Sequence, residues 1–170
     1  MDSYAAHWYA KENPNDRYSV IDKITESEDA LYWARTWPED KHLMIDRVVS
    51  SECAFYWARD WPADKHLMID KITKSFYVYM WARTWPADKD LMIDKITKSF
   101  YVYAWAQIWP EDYVKLATNN IEIHDEFLDT LKLSQSAEWV QMFPQDRDKV
   151  YKMFGHIKSS WCSKEVLFRY

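Results

Sequence analysis

"SFYVYMWARTWPADKDLMIDKITK", residues 75–98, is one copy of a pattern that recurs along most of the chain. A step of 24 residues in either direction returns the same landmarks. Trp-Ala-Arg stands at 33–35, 57–59 and 81–83, and Trp105-Ala106-Gln107 continues the series. A second tryptophan keeps step at Trp37, Trp61, Trp85 and Trp109, followed each time by Pro38, Pro62, Pro86 or Pro110. Ile-Asp-Lys or Ile-Asp-Arg recurs at 21–23, 45–47, 69–71 and 93–95, and serines 3, 27, 51, 75 and 99 open the copies. Repeats therefore span 3–26, 27–50, 51–74, 75–98 and 99–122. The first is weaker, carrying Tyr9-Ala10-Lys11 before Pro14. A degenerate sixth follows an insertion, with Trp139, Pro144, Asp146, Val150 and Phe154 in register. All six prolines of the protein fill this one position.

Each repeat reads as two short antiparallel helices. Ser75 is expected to cap a first helix over 76–85. Pro86 ends that helix and opens a second, running to about Thr97. Asp88 in its first turn complements the helix dipole. Phe76-Tyr77-Val78-Tyr79 is also good strand chemistry, but Met80-Trp81-Ala82-Arg83 follows without a turn signal, and a proline sits in every repeat. The expected fold is all-α: an α-solenoid of about five 24-residue helix-turn-helix repeats, a degenerate sixth, and a C-terminal capping helix at Ser163–Tyr170. The array covers 1–122, and 123–170 supplies an inserted helix, the degenerate repeat and the cap within the same domain. Such units bury their faces only by stacking on neighbours. They are shorter than the roughly 34-residue tetratricopeptide class, whose binding rules do not carry over.

Composition narrows the function classes. The 170 residues include 11 Trp and 12 Tyr but one glycine, Gly155, which leaves no Gly-rich phosphate loop. No apolar run exceeds the seven residues of Phe76 to Ala82, against about 20 for a membrane span. No secretory signal is visible, so a cytoplasmic protein is expected. The net charge of −5 disfavours direct nucleic-acid binding. Cys53 and Cys162 read as reduced thiols. His42/Asp46 and His66/Asp70 each make half a zinc site, so neither metal nor cofactor is expected. No GxSxG, HExxH or P-loop motif occurs, and the chain reads as a non-enzyme.

At 100° per residue, Tyr77, Val78, Trp81, Thr84 and Trp85 share an inward face of the first helix. Met92, Ile93 and Ile96 form the inner stripe of the second, with Asp90 and Asp94 outside. The opposite face of the first helix changes along the array. Its three positions read Glu28, Glu52, Phe76, Phe100; then Leu31, Phe55, Tyr79, Tyr103; then Arg35, Arg59, Arg83, Gln107. Aromatic and arginine side chains anchor protein interfaces. Phe55, Arg59, Phe76, Tyr79, Arg83, Phe100 and Tyr103 are therefore the candidate partner-binding residues, the partner being a protein of unknown identity. Burial of this face by the insertion at 123–133 or the C-terminal helix is the other reading, and self-association stays open.

The Trp-Ala-Arg…Trp-Pro-Glu/Ala-Asp pattern resembles short helical repeats of uncharacterised bacterial and tailed-phage proteins over about residues 3–122. The resemblance implies a microbial, phage-borne setting and no known catalytic residue. It opens a second reading: a phage-encoded, anti-CRISPR-like acidic inhibitor of a host defence system. Asp46, Asp70, Asp90 and Asp94 would then occupy a nucleic-acid channel.

Overall fold

The computed structural model describes residues 1–113, 115–116 and 133–154. Every described element is a helix, in the order the repeat dictates. Ten-residue α-helices open the first five repeats: α1 (Ser3–Glu12), α2 (Ser27–Thr36), α3 (Ser51–Asp60), α4 (Ser75–Thr84) and, after a short α5 (Lys89–Met92), α6 (Ser99–Ile108). The degenerate repeat supplies α7 (Leu133–Met142) and α8 (Arg147–Phe154).

The Trp-Pro pair ends each first helix. A residue before proline is pushed out of the α region, and Trp37 and Trp85 sit at φ −128°, ψ 79°. The amide of each second tryptophan still donates to the carbonyl of the first, at 2.8 Å in Trp37–Trp33 and Trp85–Trp81. Proline then starts the return segment, which is largely 3-10 rather than the expected α-helix. It comprises Pro14–Lys23 in the first repeat, Pro38–Leu43 with Ile45–Arg47 in the second, and Pro62–Leu67 with Ile69–Lys71 in the third. The fourth inserts the α-helical turn α5, and the degenerate repeat returns through α8 after Pro144–Asp146. The return segment of the fourth repeat closes at Lys95, short of Thr97. Its tighter winding rises ~2.0 Å per residue, against ~1.5 Å in an α-helix, so it covers more length with the same residues.

The chain divides into two compact units, Met1–Lys95 and Ile96–Tyr170. In the first unit, α1 packs on α2, α2 on α3 and α3 on α4. Trp33, Trp57 and Trp81 are fully buried with Met44, Met68, Met92, Ile24 and Ile72. Alanines at 10, 34, 58 and 82 are buried beside them. Each buried indole tilts against the second tryptophan of its repeat, with centroids 4.5 Å apart for Trp33–Trp37 and Trp81–Trp85. Thr84 is exposed, contrary to the inward face read for it, and its hydroxyl donates to the Met80 carbonyl. In the second unit Ala106, Tyr113, Trp139, Val140, Phe143 and Val150 form the core, with Tyr103 packed against it. Residues 123–132 of the expected insertion and the expected Ser163–Tyr170 helix lie outside the described residues.

Three side-chain ladders join neighbouring repeats of the first unit. The opening serines do not cap their own helices: Ser75 is the first residue of α4, whose cap position is Lys74 and carries no side-chain cap bond. Serine hydroxyls instead accept amides at the start of the next repeat. Ser3 takes Thr25 and Glu26 at 3.2 Å each, Ser27 takes Val49 and Ser50 at 2.9 and 3.1 Å, and Ser51 takes Thr73 and Lys74 at 2.9 and 3.1 Å. These oxygens satisfy helix-entry donors that would otherwise be orphaned. In the first unit, Asp2 and Ser50 cap helices in the ordinary way, through Ala5 and Cys53.

The second ladder is ionic. Arg17 pairs with Asp40 at 2.9 Å, Lys41 with Asp64, and Lys65 with Asp88 at 2.5 Å. Each of these cations also lies over the second tryptophan of the following repeat, 5.8, 5.6 and 5.7 Å from Trp37, Trp61 and Trp85. In the third ladder, basic residues of the last turn reach back to carbonyls of the preceding repeat. Arg47 donates to Ile21 and, at 2.7 Å, to Ile24; Lys71 donates to Ile45, and Lys95 to Ile69 at 2.6 Å. Burial pushes the Lys71 amine below its ordinary pKa. The second compact unit holds a counterpart of the ionic rung in which the donor is neutral. Tyr113, in the position of Lys41 and Lys65, donates its hydroxyl to buried Asp146, which also accepts the Trp139 indole N–H at 2.8 Å.

Candidate protein-binding surface

With tryptophans, alanines and ladder groups turned inward or sideways, the α-helices keep an outer face. Along it an aromatic ring carries a cation three residues later, a spacing that makes neighbours on one helix. Lys11 lies 4.8 Å above Trp8, Arg35 5.9 Å from Tyr32 and Arg59 4.7 Å from Tyr56. In α4 the ring shifts by one position, and Arg83 lies 5.7 Å from Tyr79 at a four-residue spacing. Stacking holds a flat guanidinium in place while its edges remain free to hydrogen-bond.

The residues expected from the sequence are placed unequally. Arg59, Phe76 and Arg83 are exposed in the first unit, with Tyr79 half-buried beside them. Phe100 is exposed and Tyr103 half-buried in the second unit, where Tyr103 lies 5.7 Å from Trp139. Phe55 is only 5% exposed and does not belong to the surface. Its ring sits 6.0 Å from Tyr77 and 5.9 Å from Trp85, filling the joint between the third and fourth repeats. Leu31, its equivalent one repeat earlier, is buried as well.

Trp8, Tyr32 and Tyr56 were not among the expected surface residues. Their signal was the aromatic-x-x-basic spacing, which Met80 and Ala104 interrupt in later repeats. Asp46, Asp70, Asp90 and Asp94 are all exposed, as are His42 and His66. Among the described residues no group of three His, Cys, Asp or Glu side chains is placed to hold a metal ion. Cys53 is a free, buried thiol whose pKa burial pushes up, the opposite of what nucleophilic reactivity needs. Cys162 lies outside the described residues. Burial, then a hydrogen bond with Glu52, pushes the Tyr77 phenol up to about 12.

No helix among the described residues is long and apolar enough to cross a membrane. Comparisons with protein-family models, with curated proteins and with solved structures give no match to this chain.

Proposed function

We propose that the chain is a non-catalytic helical-repeat scaffold or adaptor that captures a protein partner on the outer aromatic and cationic row of its first helices. It works without a cofactor and in the cytoplasm. The observation that carries this reading is the ring-and-cation pairing repeated on α1, α2, α3 and α4. Large rings stay in water there: Tyr32 is 52% and Phe76 45% exposed. Exposed Tyr and Phe with Arg are the side chains from which interface hot spots are built.

The test is affinity capture from the source cells with a Tyr32→Ala/Tyr56→Ala/Phe76→Ala variant as control. Loss of a specific partner with unchanged helical circular dichroism supports the reading, and retained capture overturns it. The exposed carboxylates Asp46, Asp70, Asp90 and Asp94 favour a second reading, a phage-encoded acidic inhibitor of a host defence complex. Capture lost on Asp46→Asn/Asp70→Asn/Asp94→Asn, and kept in the aromatic variant, would select it.

A further inference from the structure

We infer that the partner segment bound by this row is an extended acidic peptide, whose carboxylates pair with Arg59 and Arg83 and whose apolar side chain meets Phe76. The inference rests on the protein-binding reading above and names the chemistry of its partner.

Three arginines occupy the same position in successive repeats, yet only the first is neutralised. Arg35 donates to Asp60 of the next repeat at 2.7 Å. The position of Asp60 is taken one repeat later by Thr84 and two repeats later by Ile108. Arg59 and Arg83 form no ion pair among the described residues, and both are exposed. Their guanidiniums rest on Tyr56 and Tyr79, rings of their own helices. Side-chain order is thus supplied without an internal carboxylate, and the charge is left for an external anion. Phe76 is exposed on α4, the helix that also carries Arg83.

The number and surroundings of these cations choose the occupant. Two separated guanidiniums do not converge on one phosphate dianion. Glu28 and Glu52 stand exposed at the Phe76 position of the second and third repeats, and the chain carries a net charge of −5. That setting opposes a polyphosphate backbone, whose affinity grows with the number of neutralised phosphates. It suits a short segment with isolated carboxylates. Packed helices lie ~8–10 Å apart, and a peptide in the extended polyproline conformation advances ~3.1 Å per residue and returns to the same face every third residue, so the two acids fall about three residues apart with the apolar residue between them in sequence.

The test is a fluorescence anisotropy titration with a labelled Gly-Ser-Glu-Leu-Ser-Glu-Ser-Gly peptide, its Glu-to-Gln counterpart and a labelled single-stranded oligonucleotide. The Glu peptide should bind, and Arg59→Glu/Arg83→Glu or the Gln peptide should weaken binding about tenfold or more, the loss of two surface pairs. Thr84→Asp gives Arg59 the internal partner that Arg35 has, and should weaken binding about threefold while the helical signal is kept. No binding by the wild type at millimolar peptide overturns the inference, as does equal binding of the Gln peptide or preference for the oligonucleotide. If partner capture needs Tyr32, Tyr56 and Phe76 but ignores Arg59→Glu/Arg83→Glu, this inference fails and the protein-binding reading stands. If capture ignores the rings too, the protein-binding reading fails.

Discussion

Replacing Ser51 by alanine separates a hydroxyl that caps its own helix from one that holds the next repeat. Ser51 is 2% exposed. Its oxygen accepts the Thr73 and Lys74 amides at 2.9 and 3.1 Å, and its hydroxyl lies 3.1 Å from both the Lys71 carbonyl and the Thr73 hydroxyl. Alanine removes the acceptor and leaves two amides at the start of α4 without a protein partner. An orphaned buried donor costs ~1–3 kcal/mol. These amides sit at a partly buried junction that water can reach, so the expected loss is about 2 kcal/mol. Ser50→Ala is the control, since Ser50 makes an ordinary cap to Cys53 at 3.2 Å, worth about 1 kcal/mol. Urea unfolding gives the two losses, and hydrogen exchange shows where each falls. Ser51→Ala should deprotect Thr73 and Lys74, while Ser50→Ala should deprotect Cys53. If Ser51→Ala deprotects residues 53–55 and leaves 73 and 74 unchanged, the lateral ladder is wrong.

The ionic rung predicts a coupling energy of about 1 kcal/mol between Lys65→Met and Asp88→Asn in a double-mutant cycle, the pair being half-buried; a coupling of zero would leave the rung without a stabilising role. Burial pushes His7 below its usual pKa, with Asp29 opposing and Lys11 adding to the shift. A base depressed in the folded state binds protons more readily when unfolded, so its contribution is present above the unfolded value of about 6.5 and lost as pH falls towards the lowered folded value. Urea midpoints should therefore fall less steeply from pH 7 to 5 in His7→Leu than in the wild type, and parallel slopes would contradict this. Excising residues 51–74 in frame brings Lys41 against Asp88 and Ser27 to the start of the shortened array's next helix. The product should remain helical and unfold cooperatively at a lower temperature, whereas an unfolded product would contradict nearest-neighbour assembly.

The period of 24, the prolines and the buried tryptophans were legible because they are repeated facts of one chain. Trp33, Trp57 and Trp81 recur at one position of the repeat, and burial followed. The partners of the serines were not legible. Capping preference says that a serine oxygen seeks amides, but only the stacking of α3 on α4 decides that Ser51 finds Thr73 and Lys74. The winding of the return segment was hidden for a related reason. Lys41 must reach forward to Asp64 while Arg47 reaches back to Ile21, and three-residue winding brings both to the side of buried Met44.

The surface was read in part. Phe55 and Phe76 are chemically alike but stand at different positions of the repeat: Trp85 lies 5.9 Å from the first, while the second stays exposed beside Tyr77. The free state of Arg59 was written in Thr84, a change from Asp60 that matters only once the Arg35–Asp60 pair is known.

If the outer row serves a partner and not the fold, removing its rings should leave stability nearly intact. Equilibrium urea unfolding of Trp8→Ser/Tyr32→Ser/Phe76→Ser, which removes three exposed rings, is the decisive measurement. Exposed positions away from structural features change stability by within about 0.5 kcal/mol each. The expected total loss is no more than about 1.5 kcal/mol with an unchanged m-value. A loss of about 4 kcal/mol or more, the scale of emptying a buried aromatic site, would mean that the chain covers this row itself and that the row is not a partner surface.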